Sequence, residues 1–177
     1  MLGPKGSFFV TRKTAYRDAK PVQYTLNLPI SKGTLAIPKL GGSLTMPGRD
    51  TRIHVTDYPI GESTLVYCTA EIFTWQKYPE RTVVVVYGSA GETHELLLKR
   101  GAKGPAKITT SDDVKTKTDR DLLYAQWKVD GVHKDQYILA GDIYIILACK
   151  SPPTPFPQTT PLSLTSPQPA KQPTATG

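Results

Sequence analysis

Apolar and polar residues alternate with period two along most of this chain. Val22, Tyr24, Leu26, Leu28 and Ile30 keep step, as do Leu35 and Ile37, Ile53 and Val55, and then Leu65, Tyr67 and Thr69. Successive side chains of a strand point to opposite faces, so each run predicts a strand with one buried and one wet face. Gly and Pro recur at short intervals (Pro29, Gly33, Pro38, Gly41, Gly42, Pro47, Gly48, Pro59, Gly61, Pro79, Gly88, Gly91), which leaves little room for a helix or a parallel crossover. Two hairpins are expected. The β-branched run Thr82–Tyr87 is followed by Gly88-Ser89-Ala90-Gly91 and a second apolar run, Leu96-Leu97-Leu98. Leu123, Ala125, Trp127 and Val129 share one face before Asp130-Gly131, a pair suited to a type I′ turn. Ile138-Leu139 and Ile143–Leu147 add one or two further strands. The fold class read from this pattern is all-β, antiparallel and sandwich-like.

Composition divides the chain in two. Residues 151–177 hold eight of the sixteen prolines, one charge (Lys171) and only Phe156, Leu162 and Leu164 as large apolar residues, so they are expected to form a disordered tail. Residues 1–150 are left as one folded domain. The formal net charge of +7 raises the question of nucleic acid. Its densest basic group, Lys99 to Arg120, is interrupted by Gly101, Gly104, Pro105, Asp112, Asp113 and Asp119, which reads as a solvated loop instead. Neither nucleic acid nor membrane is therefore an expected partner. The apolar runs are strand-sized, and Met1–Ser7 lacks the apolar core of a signal peptide.

The first stretch with candidate chemistry is Gly91-Glu92-Thr93-His94-Glu95. His94-Glu95 begins the H-E-x-x-H zinc pattern, but the position of the second imidazole is Leu98, and the other histidines, His54 and His133, form no cluster with it. No metal and no cofactor is expected. Glu92 with Glu95, or Asp112 with Asp113, could pair as glycosidase carboxylates, yet their place near turns or in polar sequence favours solvated turn acids. Ser43, Ser63 and Ser89 lack a nucleophile elbow. Cys68 and Cys149 have no motif spacing, and a bridge between them stays open. Phe8, Phe9, Trp75 and Tyr78 are candidate interface or sugar-contact aromatics, although such residues more often fill a core or a domain interface.

Several stretches together resemble one family. Gly41-Gly42-Ser43-Leu44-Thr45, Gly48-Arg49-Asp50, Ile53-His54-Val55-Thr56-Asp57-Tyr58, Thr69-Ala70-Glu71-Ile72-Phe73-Thr74-Trp75 and Val85-Val86-Tyr87-Gly88 with Gly91-Glu92-Thr93-His94-Glu95 are similar in order and spacing to the second domain of fungal family 35 β-galactosidases. The resemblance runs from about Phe8 to Leu147. It implies N-terminal hairpins continuous with an immunoglobulin-like sandwich, in a non-catalytic domain that follows a catalytic (β/α)8 barrel, within parents that are typically secreted. That barrel is the implied partner, and none of Glu62, Glu71, Glu80, Glu92 or Glu95 inherits its catalytic role. Two departures stand out: Cys68 replaces an expected small polar residue, and after Asp142–Leu147 the chain turns proline-rich, as a fragment, splice form or translated intron would. The expected function is structural, with a free-standing carbohydrate- or anion-binding module as the alternative. An isolated copy is expected to expose an apolar patch and to self-associate weakly.

Overall fold

The computed structural model describes residues 6–14, 17–48, 50–101, 107–131 and 136–150. The tail expected at 151–177, His133 and residues 102–106 of the basic stretch lie outside them. Among the described residues the elements are strands without a helix.

Fifteen strands follow in chain order: β1 (Ser7–Arg12), β2 (Val22–Tyr24), β3 (Leu26–Ile30), β4 (Gly33–Ile37), β5 (Leu44–Met46), β6 (Thr51–Ile60), β7 (Ser63–Cys68), β8 (Glu71–Lys77), β9 (Thr82–Ser89), β10 (Thr93–Lys99), β11 (Ile108–Thr110), β12 (Lys115–Asp119), β13 (Leu122–Lys128), β14 (Gln136–Ala140) and β15 (Ile143–Lys150). A six-stranded sheet has the order β1-β6-β7-β10-β13-β12, and a five-stranded sheet the order β11-β14-β15-β9-β8. Strands β2 with β5 and β3 with β4 make two small ribbons.

Three layers result. Val55, Leu65, Leu96, Leu98, Leu123, Ala125, Trp127 and Val129 from the first sheet and its margin meet Val84, Val86, Ile138, Ile143, Ile145 and Leu147 from the second in one buried cluster. On the other face of the six-stranded sheet, Tyr67 and Leu97 pack with Leu28, Ile37 and Leu44 of the ribbons. Strand β10 is therefore covered on both sides, which accounts for its unbroken Leu96-Leu97-Leu98 run.

The structure corrects several expectations. Strands β9 and β10 do not pair; they belong to different sheets, and residues 90–92 carry the chain across the end of the sandwich. Asp130-Gly131 likewise closes no two-residue hairpin, because β13 pairs with β10 and β12 while β14 pairs with β11 and β15. Both runs had the right period, but period does not name the partner. One parallel pair is also present, with β15 running alongside β9 from Ile143 opposite Thr82 to Lys150 opposite Ser89. A Gly- and Pro-rich sequence does not forbid it, since the crossover is made by strands of the facing sheet. Leu65 and Tyr67 lie in different clusters because the register slips at Val66, so an alternation that looks continuous changes face. The Val22–Ile30 run is likewise two strands with different partners.

Candidate functional site

Strand β6 buries its polar side. Arg52, His54 and Thr56 alternate with Ile53 and Val55, and all three polar residues are enclosed while Ile53 is exposed. Arg52 reaches Ser89 and Glu92 and His54 reaches Thr69, so that with His94 they form a buried polar cluster, whereas the enclosed Thr56 hydroxyl has no hydrogen-bond partner among the described residues. A buried charge is tolerated only where partners replace its lost water. Glu92 has three such partners: the Arg52 guanidinium, the Ser89 N–H at 2.8 Å, and His94 Nε2 at 3.0 Å. Burial alone would raise the Glu92 pKa, but the bonds from His94 and Ser89 and the Arg52 charge outweigh it and hold the carboxyl below its usual range. Arg52 also reaches Asp50 at 2.8 Å, so the guanidinium lies between two carboxylates.

The histidines are joined through one threonine. The Thr69 carbonyl lies 3.2 Å from His54 Nδ1, and the Thr69 hydroxyl lies 3.4 Å from His94 Nδ1. The same hydroxyl accepts the Glu95 N–H at 2.8 Å. A neutral His54 fits this setting, with Nδ1–H donating to Thr69 and Nε2 facing the Tyr24 hydroxyl at 3.5 Å. Burial drives its pKa down to about 4, against a smaller opposing effect of the Thr69 carbonyl. The Tyr24 hydroxyl is pushed up to about 12, chiefly by burial.

Glu95 occupies the opposite face of β10 from His94. Its Oε1 accepts the Lys39 N–H at 2.6 Å and the Tyr67 hydroxyl at 2.7 Å, and its Oε2 accepts the Leu40 N–H at 2.8 Å and Gln126 Nε2 at 3.3 Å. One carboxylate thus satisfies two consecutive backbone donors of the chain leaving β4. Gln126 adds a bond to the Gly41 carbonyl at 2.9 Å. A parallel link joins the β3–β4 turn, where Ser31 donates its N–H at 2.6 Å and its hydroxyl at 3.0 Å to Asp57.

Glu92 and Glu95 are accordingly not the solvated turn acids expected from sequence; both are enclosed, with both oxygens of each engaged. Glu92 lies on the crossing between the sheets, where Arg52, Ser89 and His94 enclose it, and Glu95 lies on β10 under the chain that leaves β4. Asp112 and Asp113 do lie exposed. Sequence reasoning did not single out Arg52, His54, Thr69, Tyr67 or Gln126 as members of one cluster. The available signal was the Arg52, His54, Thr56 alternation, which ordinarily marks a wet face.

The four candidate aromatics are not gathered into one patch. Phe8 and Phe9 are neighbours on a strand and so face opposite ways: Phe8 is exposed beside Tyr58, with ring centroids 5.9 Å apart, whereas Phe9 packs on the ribbon cluster. Trp75 packs on the main core, and its indole N–H points at the Tyr58 hydroxyl at 3.4 Å. Tyr78 stands exposed in the β8–β9 turn, along a groove of about 410 Å³ with Glu62, Lys77, Arg81 and Asp142. A second groove, of about 460 Å³, lies between Phe73, Val85, Tyr87 and Ala148. Cys68 is buried and Cys149 half-buried, and both are free thiols. Among the described residues no three His, Cys, Asp or Glu side chains are grouped so as to hold a metal ion.

These features define a class: an all-β domain whose buried ionisable groups fasten its layers to one another. The chain belongs to the family described as β-galactosidase, domain 2, whose model matches residues 2–151. It is 39% identical over 142 residues to β-galactosidase A of Aspergillus niger, and 38% identical over 141 residues to β-galactosidase A of a Penicillium species. A probable β-galactosidase A of Emericella nidulans is 38% identical over 142 residues. Each match covers 80% of this chain and 14% of the relative, so the chain spans about one seventh of the length of these relatives.

Proposed function

We propose that this chain is a non-catalytic structural domain of a glycoside hydrolase that releases terminal β-galactosyl residues, and that it supports a catalytic (β/α)8 barrel. The family match over residues 2–151 carries this reading. The site geometry agrees with it. A glycosidase needs one carboxyl group to give a proton and a second to act as nucleophile or base across a sugar. Glu92 and Glu95 are instead spent on internal bonds, and neither lines the grooves at Tyr78 and Phe73. The surface we assign to the neighbouring domain is the outward side of the five-stranded sheet around Phe73, Val85 and Tyr87, with Tyr78 at its end. The alternative of a galactoside platform on Trp75 is weakened by the inward packing of that ring.

Two measurements test the reading. The purified chain, given a chromogenic β-galactoside, is expected to show no turnover, and turnover that disappears in Glu92→Gln or Glu95→Gln would overturn the proposal. Put in place of the matching segment of the Aspergillus niger enzyme, the domain is expected to sustain folding and activity of the chimera. An active enzyme that is indifferent to deletion of the segment would argue against a supporting role.

A further inference from the structure

Three turns converge around the groove at Tyr78: residues 61–62 between β6 and β7, 78–81 between β8 and β9, and 141–142 between β14 and β15. They are set against one another at fixed points. The Thr82 N–H donates to the Asp142 carbonyl at 2.7 Å, and Lys77 Nζ reaches the Glu62 carboxylate at 2.5 Å. A methyl group added at Gly61 would lie 2.5 Å from the Thr82 hydroxyl, so the first turn also sits hard against the start of β9. The Tyr78 N–H closes its own turn on the Arg81 carbonyl at 2.8 Å, and Pro79 fixes the backbone at the tip. Walls placed in this way before anything binds leave little to be ordered by a ligand.

The volume they enclose, about 410 Å³, lies within the roughly 300–1,000 Å³ of small-molecule sites. Tyr78 lines it and is 52% exposed. The charged lining is mixed, with Glu62, Glu80 and Asp142 against Lys77 and Arg81. Lys77 and Glu62 answer each other: Glu62 holds the Lys77 pKa above its usual value, and the Asp142 charge adds to the effect. The side chains of Glu80, Arg81 and Asp142 make no hydrogen bond with the described residues. Both donors and acceptors therefore remain available beside an aromatic ring.

We propose that this groove is a binding site for a neutral saccharide, which packs on Tyr78 and hydrogen-bonds to Arg81 and Asp142. The lining selects against the other ligand classes. An anion such as phosphate would meet three carboxylates, and a simple cation would meet an ammonium and a guanidinium. The carboxylates are not grouped so as to hold a metal ion, and an apolar ligand would strip water from five charged side chains. A sugar carries no charge to be repelled. Its hydroxyls both donate and accept, so they can give to Asp142 and take from Arg81, and hydrogen bonds to ionised partners are the stronger kind. Its C–H face needs a flat apolar surface, which a tyrosine ring supplies. The site goes beyond the supporting role proposed above and does not depend on it, since no residue lines both this groove and the one at Phe73 on the sheet face.

An NMR titration of the isotope-labelled full chain tests this, with methyl β-galactoside, methyl β-glucoside, lactose and, separately, sodium phosphate. At least one saccharide is expected to give saturating shifts at the amides of Glu62, Tyr78, Glu80, Arg81, Thr82 and Asp142, with a Kd of about 1–10 mM, and phosphate is expected to give none there. Tyr78→Ala and Arg81→Ala should each weaken binding at least about fivefold, whereas Tyr78→Phe, which keeps the ring, should stay within about twofold. Phe73→Ser should leave binding unchanged. Circular dichroism melts identify any variant that has lost its fold, and either alanine variant suffices because both side chains are exposed. The absence of shifts with every saccharide up to about 100 mM would overturn the proposal. So would shifts confined to another part of the domain, saturation of these amides by phosphate instead, or saccharide binding indifferent to both Tyr78→Ala and Arg81→Ala. The chimera experiment reads the supporting role and is blind to this groove, so the two readings fail separately.

Discussion

Gly88 leaves the space that His94 occupies: a methyl group added at Gly88 would lie 2.2 Å from His94 Nε2 and 3.0 Å from the Glu92 carboxylate. The constraint is steric and sits on the one bond that joins the β9–β10 crossing to the histidine. Gly88→Ala is expected to destabilise the domain by about 3 kcal/mol, because the imidazole must leave a closed site and take the Glu92 bond with it. Urea unfolding of the two proteins checks this. An unchanged midpoint would show that the cluster has room to shift.

Glu95 is the fastening between the ribbon layer and the six-stranded sheet. Glu95→Gln keeps the shape but turns an amide group toward donors, and is expected to cost about 3 kcal/mol. Tyr67→Phe removes one of the four bonds and should cost about 1 kcal/mol. Hydrogen exchange gives a sharper reading. The Lys39 and Leu40 amides should lose protection in Glu95→Gln well before the β13–β15 amides do, and equal loss everywhere would mean the carboxylate does not act locally.

Acid should weaken the fold in two stages. His54 has a folded pKa of about 4, below its ordinary 6.5, so the unfolded chain binds the extra proton first. The stability it contributes is present above pH 6.5 and is lost as pH falls toward 4, up to about 3 kcal/mol in all. Glu92, also held below its ordinary value of 4.5, withdraws its share below that pH. Replacing His54 by Phe should flatten the upper stage in a series of urea midpoints against pH and leave the lower one. A wild-type midpoint that stays level from pH 7 to 4 would contradict the neutral, buried assignment.

Trp75 and Phe73 sit two positions apart on β8 and should behave oppositely. Trp75 packs on the main core, so Trp75→Ser is expected to cost about 3 kcal/mol. Phe73 is 72% exposed, and Phe73→Ser should change stability by no more than about 0.5 kcal/mol. Thermal melts of the pair distinguish core from surface, and a larger loss at Phe73 would reverse the assignment.

The existence of the strands was legible in the sequence, and so was the shared face of Leu123, Ala125, Trp127 and Val129, all of which lie in the main core. Partner choice was not. Gly88–Gly91 and Asp130-Gly131 have turn chemistry, but the same residues serve a hairpin or a crossing between sheets, and only the packing of both sheets decides which. The polar cluster was hidden for a related reason. A third layer made of the short ribbons β2–β5 and β3–β4 covers a face whose Arg52, His54 and Thr56 read as wet. The slip at Val66 left no mark in the apolar pattern, since Leu65 and Tyr67 suit either face.

The position of β15 bears on when this fold can form. It lies inside the five-stranded sheet, between β14 and β9, so the last described strand divides a sheet whose other edge, β8–β9, was made much earlier in the chain. A polypeptide emerging from the ribosome therefore carries the β8–β9 pair with one edge of β9 unpaired until Ile143–Lys150 arrives to complete the sheet. Pairings so distant in sequence close slowly and leave apolar edges open meanwhile. The second sheet of this domain can be completed only once β15 has been made, and the interval before that is when the open β9 edge is most exposed to aggregation.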